Sequence, residues 1–256
     1  MRVLGIDPAP SKKSVVFDGE NFLHLSIFEL EELLEKEKSQ SENILISWDA
    51  PLSAALDREN FSLSIRKIES FFYRQSRTAK ALDEGRGIPH GISTLGFSGC
   101  PHWSISQYIF GLPILNPKRQ RVAEFQLLMS RDNLSSKGLY ITEIHPALSM
   151  WILLKDQLKT HALFQHSWQY KGNSAEETLK RRAILIELIL QLDLVKDVLK
   201  STIEIKNDDE LDSFVCWLMG EHLVRGDARV AIYGDSKRGS FLLPLDEEIL
   251  RQFNNS

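Results

Sequence analysis

The residues best equipped for chemistry in this 256-residue chain are acids set at the ends of apolar runs. Asp7 follows Val3, Leu4 and Ile6 and precedes Pro8; Asp49 follows Ile44, Leu45, Ile46 and Trp48, with Pro51 close behind; Glu143 follows Leu139, Tyr140 and Ile141, with Pro146 close behind. Further on, Asp208, Asp209 and Asp212 share one helical stretch, where positions 209 and 212 fall on one face about 5–6 Å apart at Cβ. In an open α/β sheet, ligands bind beyond the carboxyl ends of the strands. If the first and fourth strands pair in parallel, Asp7 and Asp49 lie about 5 Å apart. Carboxylates that close cannot all stay ionised without cations. An all-oxygen donor set selects Mg²⁺ or Mn²⁺. Two such ions roughly 3.5–4 Å apart would activate water and stabilise the leaving oxygen of a phosphodiester. Taken singly, each acid has a plainer reading. An aspartate at a strand end is ordinarily a turn former or helix cap, and Asp208 and Asp209 fit the cap and first turn of their helix. Asp212, set among Leu211, Phe214 and Val215, resists that explanation.

The elements that must position these acids follow from hydrophobic pattern. Strands are predicted over 2–6, 14–17 and 21–25, with Asp18-Gly19 as a hairpin turn, so the first three run antiparallel. A helix over 29–38 leads to a fourth strand at 43–47, and a fifth is expected at 139–143. Helices are predicted over 62–82, 119–128, 147–159, 175–192 and 208–223, and a closing hairpin over 229–233 and 240–243 turns around Gly234-Asp235. The Gly-, Pro- and Ser-rich stretch 85–101 reads as a loop long enough to form a lid. The whole chain, 1–256, is expected to form one domain, with 53–136 inserted after the fourth strand.

Composition narrows the class. With 31 Lys and Arg against 35 Asp and Glu, net charge −4 and a pI of about 6.0, bulk electrostatics do not draw the chain to nucleic acid or an anionic membrane, so any such contact must be local. Two cysteines exclude a disulfide framework or a four-cysteine zinc site. No apolar run reaches spanning length, which argues against a membrane segment, and no signal peptide is visible, so the cytoplasm is the expected compartment.

In their order along the chain, Gly5-Ile6-Asp7, Asp49-Ala50-Pro51-Leu52, Glu143-Ile144-His145-Pro146, Tyr170-Lys171 ahead of Arg181-Arg182, and Asp208 to Asp212 resemble the motifs of domain-of-unknown-function family 429, predicted nucleases of the RNase H-like superfamily. The Asp209–Asp212 pair is also similar to the helix that completes a RuvC-type resolvase site. The resemblance implies an α/β fold of RNase H-like type: a mixed five-stranded sheet in order 3-2-1-4-5 flanked by helices, with a two-metal site and nuclease activity. It makes Asp7, Asp49 and Asp212 metal ligands and Asp209 and Glu143 additional carboxylates. The chain departs from the family in carrying Ser213 where alanine is usual and in keeping only Arg66 to Glu69 of an arginine-cysteine-aspartate stretch.

Around these acids, Lys171, Arg181 and Arg66 are expected to contact substrate phosphates; solvated surface is the plainer reading of Arg181. The basic stretch 58–80 interleaves Phe61, Phe71, Phe72 and Tyr73, which could stack on bases but read more simply as a helix's core face. His145 could orient a ligand or water from behind the acids, or serve as a hydrogen-bonded core residue. Cys100 with His102, and His161 with His166, lack further ligands at metal spacing. The leading expectation is a Mg²⁺- or Mn²⁺-dependent nuclease acting on DNA or RNA, its catalytic acids Asp7, Asp49, Glu143, Asp209 and Asp212. Two alternatives are a binding protein that kept the fold without catalysis and, with less support, an actin- or sugar-kinase-like phosphotransferase, for which the chain is short and lacks a second glycine-rich loop.

Overall fold

The fold is taken from a computed structural model, which describes residues 1–53, 55–57, 62–64, 66–75, 92, 102–110, 121–122, 125–165, 167–235 and 239–255. Strands β1 (Arg2–Asp7), β2 (Ser14–Phe17) and β3 (Phe22–Leu25) form the expected antiparallel start. Helix α1 (Ile27–Gln40) is opened by a capping box in which Ser26 and Glu29 exchange side-chain and backbone hydrogen bonds. It returns the chain to β4 (Asn43–Trp48), which pairs in parallel with β1. Strands β5 (Ala55–Asp57) and β6 (Ser62–Ser64) form a small hairpin, followed by α2 (Lys67–Gln75) and α3 (Trp103–Phe110). The short strands β7 (Arg121–Val122) and β8 (Phe125–Leu127) precede β9 (Gly138–Glu143), which pairs in parallel with β4. Helices α4 (Pro146–Leu158), α5 (Glu176–Gln191), α6 (Asp193–Val198) and α7 (Asp208–Val224) lead to the hairpin β10 (Val230–Asp235) and β11 (Gly239–Pro244), and α8 (Glu247–Asn254) follows.

The main sheet runs β3-β2-β1-β4-β9-β8-β7. Its first five members have the order expected from the sequence; β8 and β7 extend it beyond the fifth. Within the helix predicted over 119–128, the described residues 121–122 and 125–127 are therefore corrected to strand. Phe125 and Leu127 are buried on either side of a half-buried Gln126, and the edge of β9 is open to pair with them, so non-local pairing overrides a helical reading of a short segment. The helix predicted over 62–82 likewise begins later, because 62–64 pairs with 55–57. Gly234 and Asp235 lie within the hairpin ladder, opposite Ser240 and Gly239, and not at its turn. Most of the 85–101 loop, Cys100 included, and residues 58–61, 65 and 76–80 of the basic stretch fall outside the described residues.

One sheet face packs on α7 and the other on α1 and α3. Val3, Leu45 and Tyr140 join Phe214, Val215 and Leu218 in one core. Leu4, Ile6, Ile46, Trp48 and Ile141 join Leu30, Leu34, Ile105 and Phe110 in the other. The packing of α7 on β1 is unusually close, and glycine makes it possible. A Cβ on Gly5 would sit 2.6 Å from Trp217 Cβ and closer still to the Ser213 carbonyl oxygen and the Trp217 nitrogen; one on Gly220 would reach 2.7 Å from Val3 and run into Ser47. Gly5 thus lets the helix backbone lie directly on the strand that carries Asp7. Ser213, where the family favours alanine, fits the same contact: it is fully buried and its hydroxyl donates to the Glu210 carbonyl at 3.0 Å. Among the described residues no helix is long and apolar enough to cross a membrane.

Candidate active site

Two central parallel strands and one helix bring the acids together. Asp7 is the last residue of β1, and the Asp49 N–H donates to the Ile6 carbonyl at 2.9 Å, extending the β1–β4 ladder so that Asp49 stands beside Asp7. Asp212 reaches the same place from the first turns of α7, held there by the close contact at Gly5. The cap of α7 is Asn207, whose side chain accepts from the Glu210 N–H at 2.9 Å; the cap role considered for Asp208 is corrected accordingly. Asp208 instead pairs with Arg182 at 2.9 Å and accepts from the Gly172 N–H.

A single lysine joins this cluster. Lys171 Nζ lies 2.6 Å from Asp212 Oδ2 and 3.7 Å from Asp49 Oδ2. The hydroxyl of Tyr170 donates to Asp212 Oδ1 at 2.5 Å. Asp212 Oδ2 is buried and, although in ionic contact with Lys171, receives no hydrogen bond of good geometry. At the rim, Lys12 from the β1–β2 connection holds both oxygens of Asp209 at 2.5 Å.

The energetics follow from burial. Asp7 is 5% exposed and Asp212 is fully enclosed. Burial pushes the Asp7 carboxyl well above the usual range, Lys171 opposes that, and Asp49, Asp212 and Asp209 add to it. Burial likewise raises Asp49, and lifts Asp212 to about 6 against the pull of Lys171. Burial works against the Lys171 charge, but Asp212, Asp49 and Asp7 outweigh it and keep the ammonium protonated well beyond the ordinary lysine range. His102, at the start of α3, stands within the field of Lys171, Lys12 and Asp209; burial and the two cations lower its basicity. His102 has no ligand partner at metal spacing nearby in the chain, and Lys12 belongs to no motif. Both come to the site from a distance that spacing does not reveal.

Other expected site residues lie elsewhere. Glu143 pairs in register with Trp48, so it takes the sheet face opposite Asp7 and Asp49. There the Arg66 guanidinium holds it through contacts of 2.7 and 2.5 Å, and the Leu52 N–H donates to it at 3.0 Å. Arg66 is 1% exposed and also binds Glu69 and Ser53. Arg181 is buried, donating to the carbonyls of Leu163 and Gln169 and to Glu177, none of which belongs to the acidic cluster. His145 caps α4, its Nδ1 accepting from the Leu148 N–H at 3.3 Å, and its ring meets Phe241 edge to face.

Among the described residues, no group of three or more His, Cys, Asp and Glu side chains is arranged to hold a metal ion. The donor chemistry nevertheless fits a hard divalent cation: carboxylates from three separate elements, Asp7 and Asp212 buried and Asp49 partly exposed. Neither a curated protein nor a solved structure matches the chain. Residues 119–238, which carry Glu143, Lys171 and the α7 acids, match the model of the family described as "Protein of unknown function (DUF429)", the family that the ordered motifs resemble.

Proposed function

We propose that this protein hydrolyses phosphodiester bonds of nucleic acid at the cluster of Asp7, Asp49 and Asp212, with Asp209 at its rim, and that Mg²⁺ or Mn²⁺ is its cofactor. The observation that carries this reading is the gathering of three acids, from β1, from the end of β4 and from α7, at the carboxyl edge of the central parallel strands. Burying like charges costs several kcal/mol per ion. A fold that needed only stability would fill that position with apolar side chains, as it does at Val3, Leu4 and Ile6 of β1 and at Ile44, Leu45, Ile46 and Trp48 of β4.

The chain's own groups divide the work. Asp7 and Asp49 present adjacent oxygens at the sheet edge, and Tyr170 fixes the rotamer of Asp212 through its 2.5 Å hydrogen bond. These three would hold the cation. When bound, it would neutralise the acids, polarise the phosphoryl group and make an attacking water more acidic. Lys171 and Lys12 supply positive charge at the mouth for a phosphate's oxygens, and His102, its basicity lowered in their field, can take up a proton there and pass it on. Arg66 and Arg181 are spent on internal partners and do not enter this reading as substrate ligands.

A second reading, a binding protein without catalysis, draws on one observation: the Lys171 ammonium already offsets part of the acidic charge. Incubation with single- and double-stranded DNA and RNA across a Mg²⁺ and Mn²⁺ titration separates the two. Cleavage that requires the ion and falls at least 100-fold in Asp7→Asn and Asp212→Asn supports hydrolysis. Absence of cleavage with either ion, or undiminished cleavage by Asp7→Asn, overturns it.

A further inference from the structure

Although about half of its side chain is exposed (52%), Lys171 is held in place by more than its contact with one acid. Three consecutive residues strap it to α7: the Tyr170 hydroxyl donates to Asp212, the Lys171 ammonium contacts Asp212 and Asp49, and the Gly172 N–H donates to Asp208 at 3.0 Å. Arg182 closes the strap by donating to the Gly172 carbonyl and to Asp208. The ring of Tyr170 is buried, so the backbone delivering the lysine is fixed at a core residue.

We propose that the Lys171 ammonium is the resident counter-cation of the carboxylate cluster, occupying the place of a second metal, so that the site admits one divalent ion. This rests on the metal-dependent reading above and replaces the two-metal arrangement that the family resemblance implies. Charge balance argues for it. Asp209 is neutralised by Lys12, which leaves Asp7, Asp49 and Asp212 with three negative charges and Lys171 with one positive. The remaining two negative charges match one divalent ion. Two divalent ions beside the lysine would leave the buried site with a net charge of +2, and like charges so close repel strongly in a medium of low dielectric constant. Asp212 shows the same division of labour: Oδ1 accepts from Tyr170, and Oδ2 meets the Lys171 ammonium at 2.6 Å and keeps its second lone pair for a cation.

The test is Mn²⁺ binding by the full-length protein without nucleic acid, followed by electron paramagnetic resonance and calorimetry. Wild type is compared with Lys171→Met, which keeps the stem and removes the charge, with Lys171→Gln as a second neutral variant in case the first fails to fold, and with Lys171→Arg. The expected result is one Mn²⁺ per wild-type chain and per Lys171→Arg chain. Each neutral variant should bind two, or bind the first at least tenfold more tightly. Equal stoichiometry and affinity in wild type and both neutral variants would overturn the inference while leaving the metal-dependent reading intact. Binding by the neutral variants but not by wild type would overturn both the one-ion site and the metal-dependent reading, since the lysine would then exclude every ion. Binding by none of them would overturn both.

Discussion

Replacing Arg66 by methionine should destabilise the protein in a strongly pH-dependent way. The guanidinium lies between Glu143, with contacts of 2.7 and 2.5 Å, and Glu69, with an Nε contact of 2.7 Å, and it also reaches Ser53 at 3.0 Å. All three charged residues are at most 4% exposed. Methionine refills much of the volume but leaves two carboxylates buried without their guanidinium, while the backbone N–H groups of Leu52 and residue 66 still donate to them. Removing one partner of a buried ion pair costs about 3–5 kcal/mol. The carboxyls can escape part of the penalty by protonating, which at pH 7 costs an ordinary glutamate about 3.7 kcal/mol and at pH 5 about 1 kcal/mol. Urea unfolding followed by circular dichroism should therefore give a loss of about 3–5 kcal/mol at pH 7, shrinking to about 1–2 kcal/mol at pH 5. Adding Glu143→Gln to Arg66→Met should recover part of the loss, because a neutral amide is left where a charge was. A loss below about 1 kcal/mol at pH 7, or one that is the same at both pH values, would refute the view that this arginine is a buried counter-charge.

Three further outcomes follow from the same coordinates. Gly5→Ala should prevent folding or cost more than about 4 kcal/mol, since its Cβ meets the backbone of α7; a melting temperature within a few degrees of wild type would contradict the packing described. Asp212, with its carboxyl lifted to about 6 from an ordinary 3.8, binds its proton more tightly folded than unfolded, so its share of stability is lost as pH rises from about 4 through 6. In metal-free protein, Asp212→Asn should remove up to about 3 kcal/mol of that slope, read from denaturant midpoints across the range, and an unchanged slope would count against it. His145→Ala should cost about 1 kcal/mol through the lost cap on α4, without altering Mn²⁺ binding; a loss of binding would give the histidine a part in the site itself.

The pattern of the first five strands was legible because strand periodicity and breakers are local. Alternating or continuous apolar runs fix where β1 to β4 and β9 lie, and the acids at their ends follow from position alone. The order of those strands came through resemblance and the α7 acids through their i, i+3 spacing as well, while close packing explains Gly5: nothing larger lets α7 touch β1. Segment 119–128 was misread as helix because a short apolar stretch carries no decisive period, and its fate was set by the open edge of β9.

Tertiary structure alone decided which acids belong together. Glu143 stands at a strand end like Asp7 and Asp49, yet the register that pairs it with Trp48 turns it to the other face, where Arg66 neutralises it. No spacing rule reveals that, because a shift of one residue in a parallel ladder exchanges the two faces. The same holds for the cations. Lys171 was singled out as a phosphate ligand, but only the strap running through Tyr170 and Gly172 sets its ammonium against Asp212 and Asp49, and only the folding of the β1–β2 connection brings Lys12 to Asp209. Sequence determined the inventory of charges and the strand ends that carry them; the fold determined their pairing, because charges pair through space and their partners lie as many as 197 residues apart in the chain.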